Sequence, residues 1–347
     1  MRQLMQQIGI VVALAALSAG AAGDKGRWPA ERIEVQSTLD GTLQPAWFWA
    51  PEKAKGEAVP LVVGHHSWST DIRDLANYRA PLGAAMTNGW VFVGPNFRGP
   101  NNRSEACGSE LAVQDVVDAV EWAKAHAKVD PERIYIIGAS GGGHMALLML
   151  GRHPEIFAAG VALCPITDIA RWHADSLLAH PGRNVRYAKD IEVACGGKPA
   201  ERPEEYARRS PLTWLRRTRE AKVPVYVCTG IHDGWKGSVP VGHAIRAFNA
   251  LADEQDRISE ADIAFIEANR RTPAGFACGD LADPFYAGKN RACLRRTSAN
   301  ARLTLFEGAH QGNYPAAFDF LRRQVKGRPA DWTLPAAGRG AVECIAK

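Results

Sequence analysis

Three residues stand in surroundings that could do chemistry together: Ser140, Asp233 and His310. Ser140 lies in Gly138-Ala139-Ser140-Gly141-Gly142, a G-x-S-x-G pattern between the apolar run 134–137 and the helix-forming run 145–150. That places the serine at a strand-to-helix turn, which small neighbours allow to be tight enough to hold the hydroxyl out, with the Gly141 N–H beside it. A serine hydroxyl is a poor nucleophile until an adjacent base takes its proton, and the base needs a carboxylate to hold its tautomer. Asp233, in Gly230-Ile231-His232-Asp233-Gly234, and His310, in Gly308-Ala309-His310, each follow a strand-like run, in the order Ser, Asp, His. Asp168, in Pro165-Ile166-Thr167-Asp168, also follows a strand and is the rival acid; its structural alternative is a helix cap. The chemistry this set implies is acyl transfer through a covalent serine intermediate.

An oxyanion formed on that path needs preorganised donors, commonly two. Gly141 N–H is one, and a backbone N–H of Ser67 or Trp68, in the loop after His65, is the other. His66, Arg98, Trp172 and Trp235 are candidate substrate contacts, and Trp68 and Trp214 fall in segments that would also rim a pocket. Indole faces stack on sugar rings and aryl acids, but tryptophan is equally a core residue. No cysteine or histidine spacing suggests a zinc site, so neither metal nor cofactor is expected.

The elements that must carry these residues alternate. Two short runs, 33–38 and 46–50, read as a hairpin joined by a turn at Leu39-Asp40-Gly41. Largely apolar strands follow at 60–66, which ends in polar residues, and at 90–95, 134–137, 157–164, 224–230 and 301–306, separated by helical patterns that include 74–86, 112–125, 241–252 and 315–325. Such alternation predicts an α/β protein with a mostly parallel sheet flanked by helices, binding its ligand at the carboxyl ends of the strands. Residues 165–221 break the rhythm and read as a partly helical cap over the site, while 253–300 read as an insertion between core elements.

The chain of 347 residues, 46% hydrophobic and 23% charged, is large enough for a single catalytic domain with a substantial core. Its net charge of +5 is interspersed, which gives no support to a nucleic-acid partner. Residues 1–23 have the three-part pattern of a signal peptide, with an apolar stretch too short to span a bilayer. Cleavage between Ala19 and Gly23 would leave residues 24–347 as a secreted or periplasmic domain with no stable membrane insertion. Export makes disulfides plausible: Cys278 with Cys293 is the best pair, Cys107, Cys195 and Cys344 could supply another, and Cys164 and Cys228 read as buried thiols.

Several further motifs accompany the serine turn: Asn96-Phe97-Arg98-Gly99, Asp130-Pro131-Glu132-Arg133-Ile134, Pro154-Glu155-Ile156-Phe157 and Ser210-Pro211. With the Asp233 and His310 loops, they make the chain resemble the α/β-hydrolase superfamily, and within it the catalytic domain of prolyl-oligopeptidase-type serine hydrolases and related secreted esterases. The resemblance spans roughly residues 60–325 and implies Ser140 as nucleophile, Asp233 as acid and His310 as base. Peptidases of that family carry a large N-terminal β-propeller, for which too few residues precede the core here, and the usual His-Gly-Gly of the oxyanion loop is replaced by His65-His66-Ser67-Trp68. These departures favour a carboxylic-ester hydrolase acting on a small-molecule or glycan ester, carbohydrate or aryl, with a peptidase as the alternative. Activity is expected to fall below about pH 6.5 as His310 protonates.

Overall fold

The structure is a computed structural model in which residues 28–178, 184–276 and 283–335 are described. The segment read as a signal peptide, Cys278 and Cys344 lie outside the described residues.

Among the described residues the chain builds nine strands, the central ones from apolar β-branched runs: β1 (Glu31–Gln36), β2 (Leu43–Trp49), β3 (Val59–His65), β4 (Val91–Pro95), β5 (Val129–Ala139), β6 (Ala159–Leu163), β7 (Val225–Gly230), β8 (Ala292–Ser298) and β9 (Ala301–Phe306). They form one sheet in the order β1-β2-β4-β3-β5-β6-β7-β9-β8. The central strands, from β4 through β3, β5, β6 and β7 to β9, are parallel. The β1–β2 hairpin joins antiparallel at one edge and β8 at the other. β8 was read from sequence as part of an insertion. It carries the polar run Arg295-Arg296-Thr297 and few apolar residues, a composition that suits an edge strand rather than the buried centre.

Among the described residues ten α-helices fill the intervals: α1 (Ala76–Asn88), α2 (Glu110–His126), α3 (Gly141–Arg152), α4 (Ile169–Leu177), α5 (Val185–Cys195), α6 (Pro203–Arg208), α7 (Leu215–Glu220), α8 (Val241–Leu251), α9 (Glu260–Asn269) and α10 (Tyr314–Leu321). Successive strand residues face opposite sides, so Val63, Ile136 and Val227 pack under α2, α3 and α8. Val62, Ile137 and Cys228 pack under α1 and α10. Wholly apolar strands are therefore explained by cover on both faces. The chain has the α/β-hydrolase architecture.

Within the segment read as a cap, α4, α5 and α6 share a small core of their own around Ile169, Trp172, Ile191 and Tyr206, joined by Trp68 from the loop after β3. The last helix of that segment, α7, packs instead on α3 and α8. Arg209 fastens the cap to the body. Its buried guanidinium donates to the carbonyls of Ser104 (3.0 Å) and Ala106 (2.7 Å), and its own carbonyl is 2.7 Å from His144 Nε2 on α3. Cys107 and Cys195, weighed from sequence as bridge partners, are separate buried thiols. No helix among the described residues is long and apolar enough to cross a membrane.

Candidate active site

Ser140 stands between β5 and α3 with φ 57° and ψ −119°, a left-handed conformation that costs a residue with a side chain of order 1–3 kcal/mol. Two main-chain bonds hold it there: Ser140 N donates to Leu163 O and His144 N donates to Ser140 O, both at 2.9 Å. The turn is as tight as the glycines suggested, since a Cβ at Gly138 would fall 2.2 Å from Gly142 O.

Gly141 opens α3, so its N–H is among those with no acceptor inside the helix. The backbone of Trp68 presses against it: a Cβ at Gly141 would lie 2.4 Å from Trp68 N. The two candidate oxyanion donors, Gly141 N–H and Trp68 N–H, are therefore neighbours. Ser67 contributes its carbonyl to the same loop, accepting from Thr70 Oγ1 at 3.2 Å and lying 2.8 Å from His66 Nδ1.

Asp233 and His310 meet beyond the ends of β7 and β9. His310 Nδ1 is 2.8 Å from Asp233 Oδ2. The buried carboxylate also accepts from Thr229 Oγ1 (3.1 Å), Gly234 N (2.9 Å) and Val239 N (3.3 Å). Four donors leave it acting as an acceptor only, which fixes both its orientation and the tautomer of the neutral histidine. Burial disfavours a charged His310 ring, but the adjacent Asp233 carboxylate, helped by the Cys164 sulfur, outweighs that and holds the histidine well above its usual value. Asp168, the rival acid, caps α4 instead, accepting from Arg171 N at 2.9 Å.

Each of the expected substrate contacts already has partners within the protein. His66 is fully buried, stacked on Phe97 at 3.9 Å and 2.7 Å from Asn96 O through Nε2, so it braces the loop from inside. Arg98 pairs with Asp115 at 2.5 Å and Asp40 at 2.8 Å, and with three carboxylate-directed nitrogens engaged it ties the β4 loop to α2 and the first hairpin. Trp172 is buried, donates Nε1 to Ser238 O and meets Trp68 edge-on at 4.7 Å, which leaves no face for a sugar or aryl ring. Trp235 carries the Arg270 guanidinium over its ring at 4.0 Å and donates Nε1 to Glu267 O, so it packs toward α9. Trp214 lies under Arg152 at 4.6 Å on the flank of α3.

Sequence reasoning missed Cys164. The residue directly follows β6 with φ 40°, buried as expected, yet its sulfur lies with a ring nitrogen of His310 and a carboxylate oxygen of Asp233, all within 4.8 Å of one another. The only signal was its place at a strand end beside β7, shared with the rival acid a few residues on.

A family model described as the prolyl oligopeptidase family matches residues 82–265, more than half of the chain and inclusive of Ser140 and Asp233. The chain belongs to the prolyl oligopeptidase family. A dipeptidyl aminopeptidase BIII of Pseudoxanthomonas mexicana is 26% identical over 225 residues, 60% of this chain and 30% of that protein. A poly(3-hydroxyalkanoate) depolymerase C of Paucimonas lemoignei is 29% identical over 118 residues, 30% of this chain and 27% of that one. The solved Pyrococcus horikoshii acylaminoacyl peptidase shares the fold, with a TM-score of 0.57 and 18% identity across 88% of this chain and 43% of its own. This chain thus spans less than half the length of these relatives. The match covers the Ser140 turn and Asp233, and the Asp233–His310 pair completes the residue types that a serine hydrolase centre uses.

Proposed function

We propose that this member of the prolyl oligopeptidase family is a serine peptidase that cleaves the amide bonds of short or acylated peptides through an acyl-enzyme. The family match across the serine turn and the Asp233 loop carries this reading, because the named relatives include a dipeptidyl aminopeptidase and an acylaminoacyl peptidase. It reverses the order of the sequence-based expectation, which put an ester first.

Ser140 Oγ attacks the carbonyl carbon while His310 Nε2 takes its proton. Asp233, bonded to Nδ1, stabilises the imidazolium, and the N–H groups of Gly141 and Trp68 receive the developing oxyanion. His310 then gives the proton to the departing amine, and water repeats the sequence on the acyl-serine. The chemistry needs no metal and no cofactor.

A second reading, hydrolysis of a carboxylic ester, is favoured by the depolymerase relative, whose named substrate is a polyester. Side-by-side assay of aminoacyl and dipeptidyl p-nitroanilides, p-nitrophenyl acetate, feruloylated xylan and 3-hydroxybutyrate oligomers separates the two. The peptidase reading expects anilide turnover that disappears in Ser140→Ala; ester turnover with no amide cleavage would reverse it. The N-terminal apolar segment supports export, and N-terminal sequencing of the protein recovered from periplasm and medium tests that.

A further inference from the structure

We propose that Cys164, Asp233 and His310 form a binding site for a soft divalent cation such as Zn2+, and that its occupancy reversibly switches off the serine centre. The inhibitory half of this rests on the catalytic roles given above; the binding half does not.

The three residues supply a sulfur, an imidazole nitrogen and a carboxylate oxygen within 4.8 Å of one another. That mixture is the donor set zinc prefers, with bonds of about 2.3 Å to sulfur and about 2.0–2.2 Å to nitrogen and oxygen, so three ligands round one ion sit roughly 3–4 Å apart. The observed spacing is wider than that, so side-chain rotation must close it, with Asp233 giving up one of its present donors to the ion and water completing the tetrahedron. The residues come from the ends of β6, β7 and β9, consecutive neighbours in the sheet, which explains why no sequence spacing announces the site. Access is through the imidazole, whose side chain keeps 15% of its exposure while Asp233 keeps 1%.

Binding forms a metal–sulfur bond and sends the thiol proton to solvent, with no change of oxidation state. Coordination through either ring nitrogen disables His310. Through Nε2 the metal takes the lone pair that would accept the serine proton; through Nδ1 it displaces the bond to Asp233. No step of the hydrolysis uses Cys164.

The test is zinc titration of the intact protein against a chromophoric chelator, paired with fluorophosphonate labelling of Ser140 and a Co2+ spectrum. One zinc per chain, loss of labelling on zinc addition and recovery with EDTA are expected, as is a thiolate-to-cobalt charge-transfer band. Cys164→Ala should label normally without metal, lose the band and need far more zinc for the same block. Loss of even a supporting partner of a metal ligand costs about 10- to 100-fold in affinity, and loss of the thiolate should cost no less. Cys164→Ser serves the same purpose should the alanine variant fold poorly. Equal zinc sensitivity in the variants, or a wild-type cobalt spectrum without the thiolate band, overturns the site. Should no substrate be turned over, the cobalt spectrum still reads the metal site on its own.

Discussion

His310 Nδ1 lies 2.8 Å from Oδ2 of Asp233, and the carboxylate is held from its other sides by Thr229, Gly234 and Val239. The histidine is thereby committed to one tautomer, with its proton on Nδ1 and Nε2 left as the basic nitrogen. Asp233→Asn keeps the shape but offers an amide where an acceptor is needed. A fall in kcat of about 10⁴-fold is expected, with folding unchanged by circular dichroism. Retention of more than a tenth of wild-type kcat would show that another group holds the ring.

The same contact sets the pH dependence. Asp233 raises the pKa of His310 above the ordinary 6.5, so the protonated, inactive ring persists to higher pH. The acid limb of kcat/KM should therefore have its midpoint above 6.5, not at it as the unperturbed residue would give, with activity lost as pH falls through that value. Stopped assays in constant-ionic-strength buffers measure it; a midpoint at or below 6.5 would contradict the pairing.

Gly141→Ala should act on kcat more than on KM. An added methyl would sit 2.4 Å from Trp68 N and push the two oxyanion donors apart. Loss of one such donor costs about 10²–10³-fold in kcat. Steady-state kinetics separates this from a binding defect, which would raise KM alone.

Arg98→Ala tests the reassignment of that arginine from substrate contact to brace. Asp115, with its side chain 1% exposed, would keep a buried charge without its partner. A stability loss of about 3–5 kcal/mol in urea unfolding is expected. An unchanged urea midpoint with a raised KM would return Arg98 to the substrate.

Arg209→Ala should loosen the cap. Removing the guanidinium leaves the Ser104 and Ala106 carbonyls without their charged donor, at a cost of about 2–4 kcal/mol. Limited proteolysis should then cut first between residues 165 and 221, and a cleavage pattern identical to wild type would argue against the fastening.

Much of this protein was readable along the chain, because the rules involved are local. Glycines round Ser140 announce a turn that only small residues fit, and wholly apolar strands announce a sheet covered on both sides. The order Ser, Asp, His at strand ends follows from the same reading. Tertiary structure decided whatever depends on which distant side chain arrives as partner. Trp172 and Trp235 had the composition of a substrate rim, but a carbonyl, a neighbouring indole and an arginine claimed them. His66 was taken by Phe97 and Asn96, and Arg98 by two carboxylates. Cys164 reached His310 because β6, β7 and β9 lie side by side, an adjacency set by sheet order and invisible to spacing in the chain.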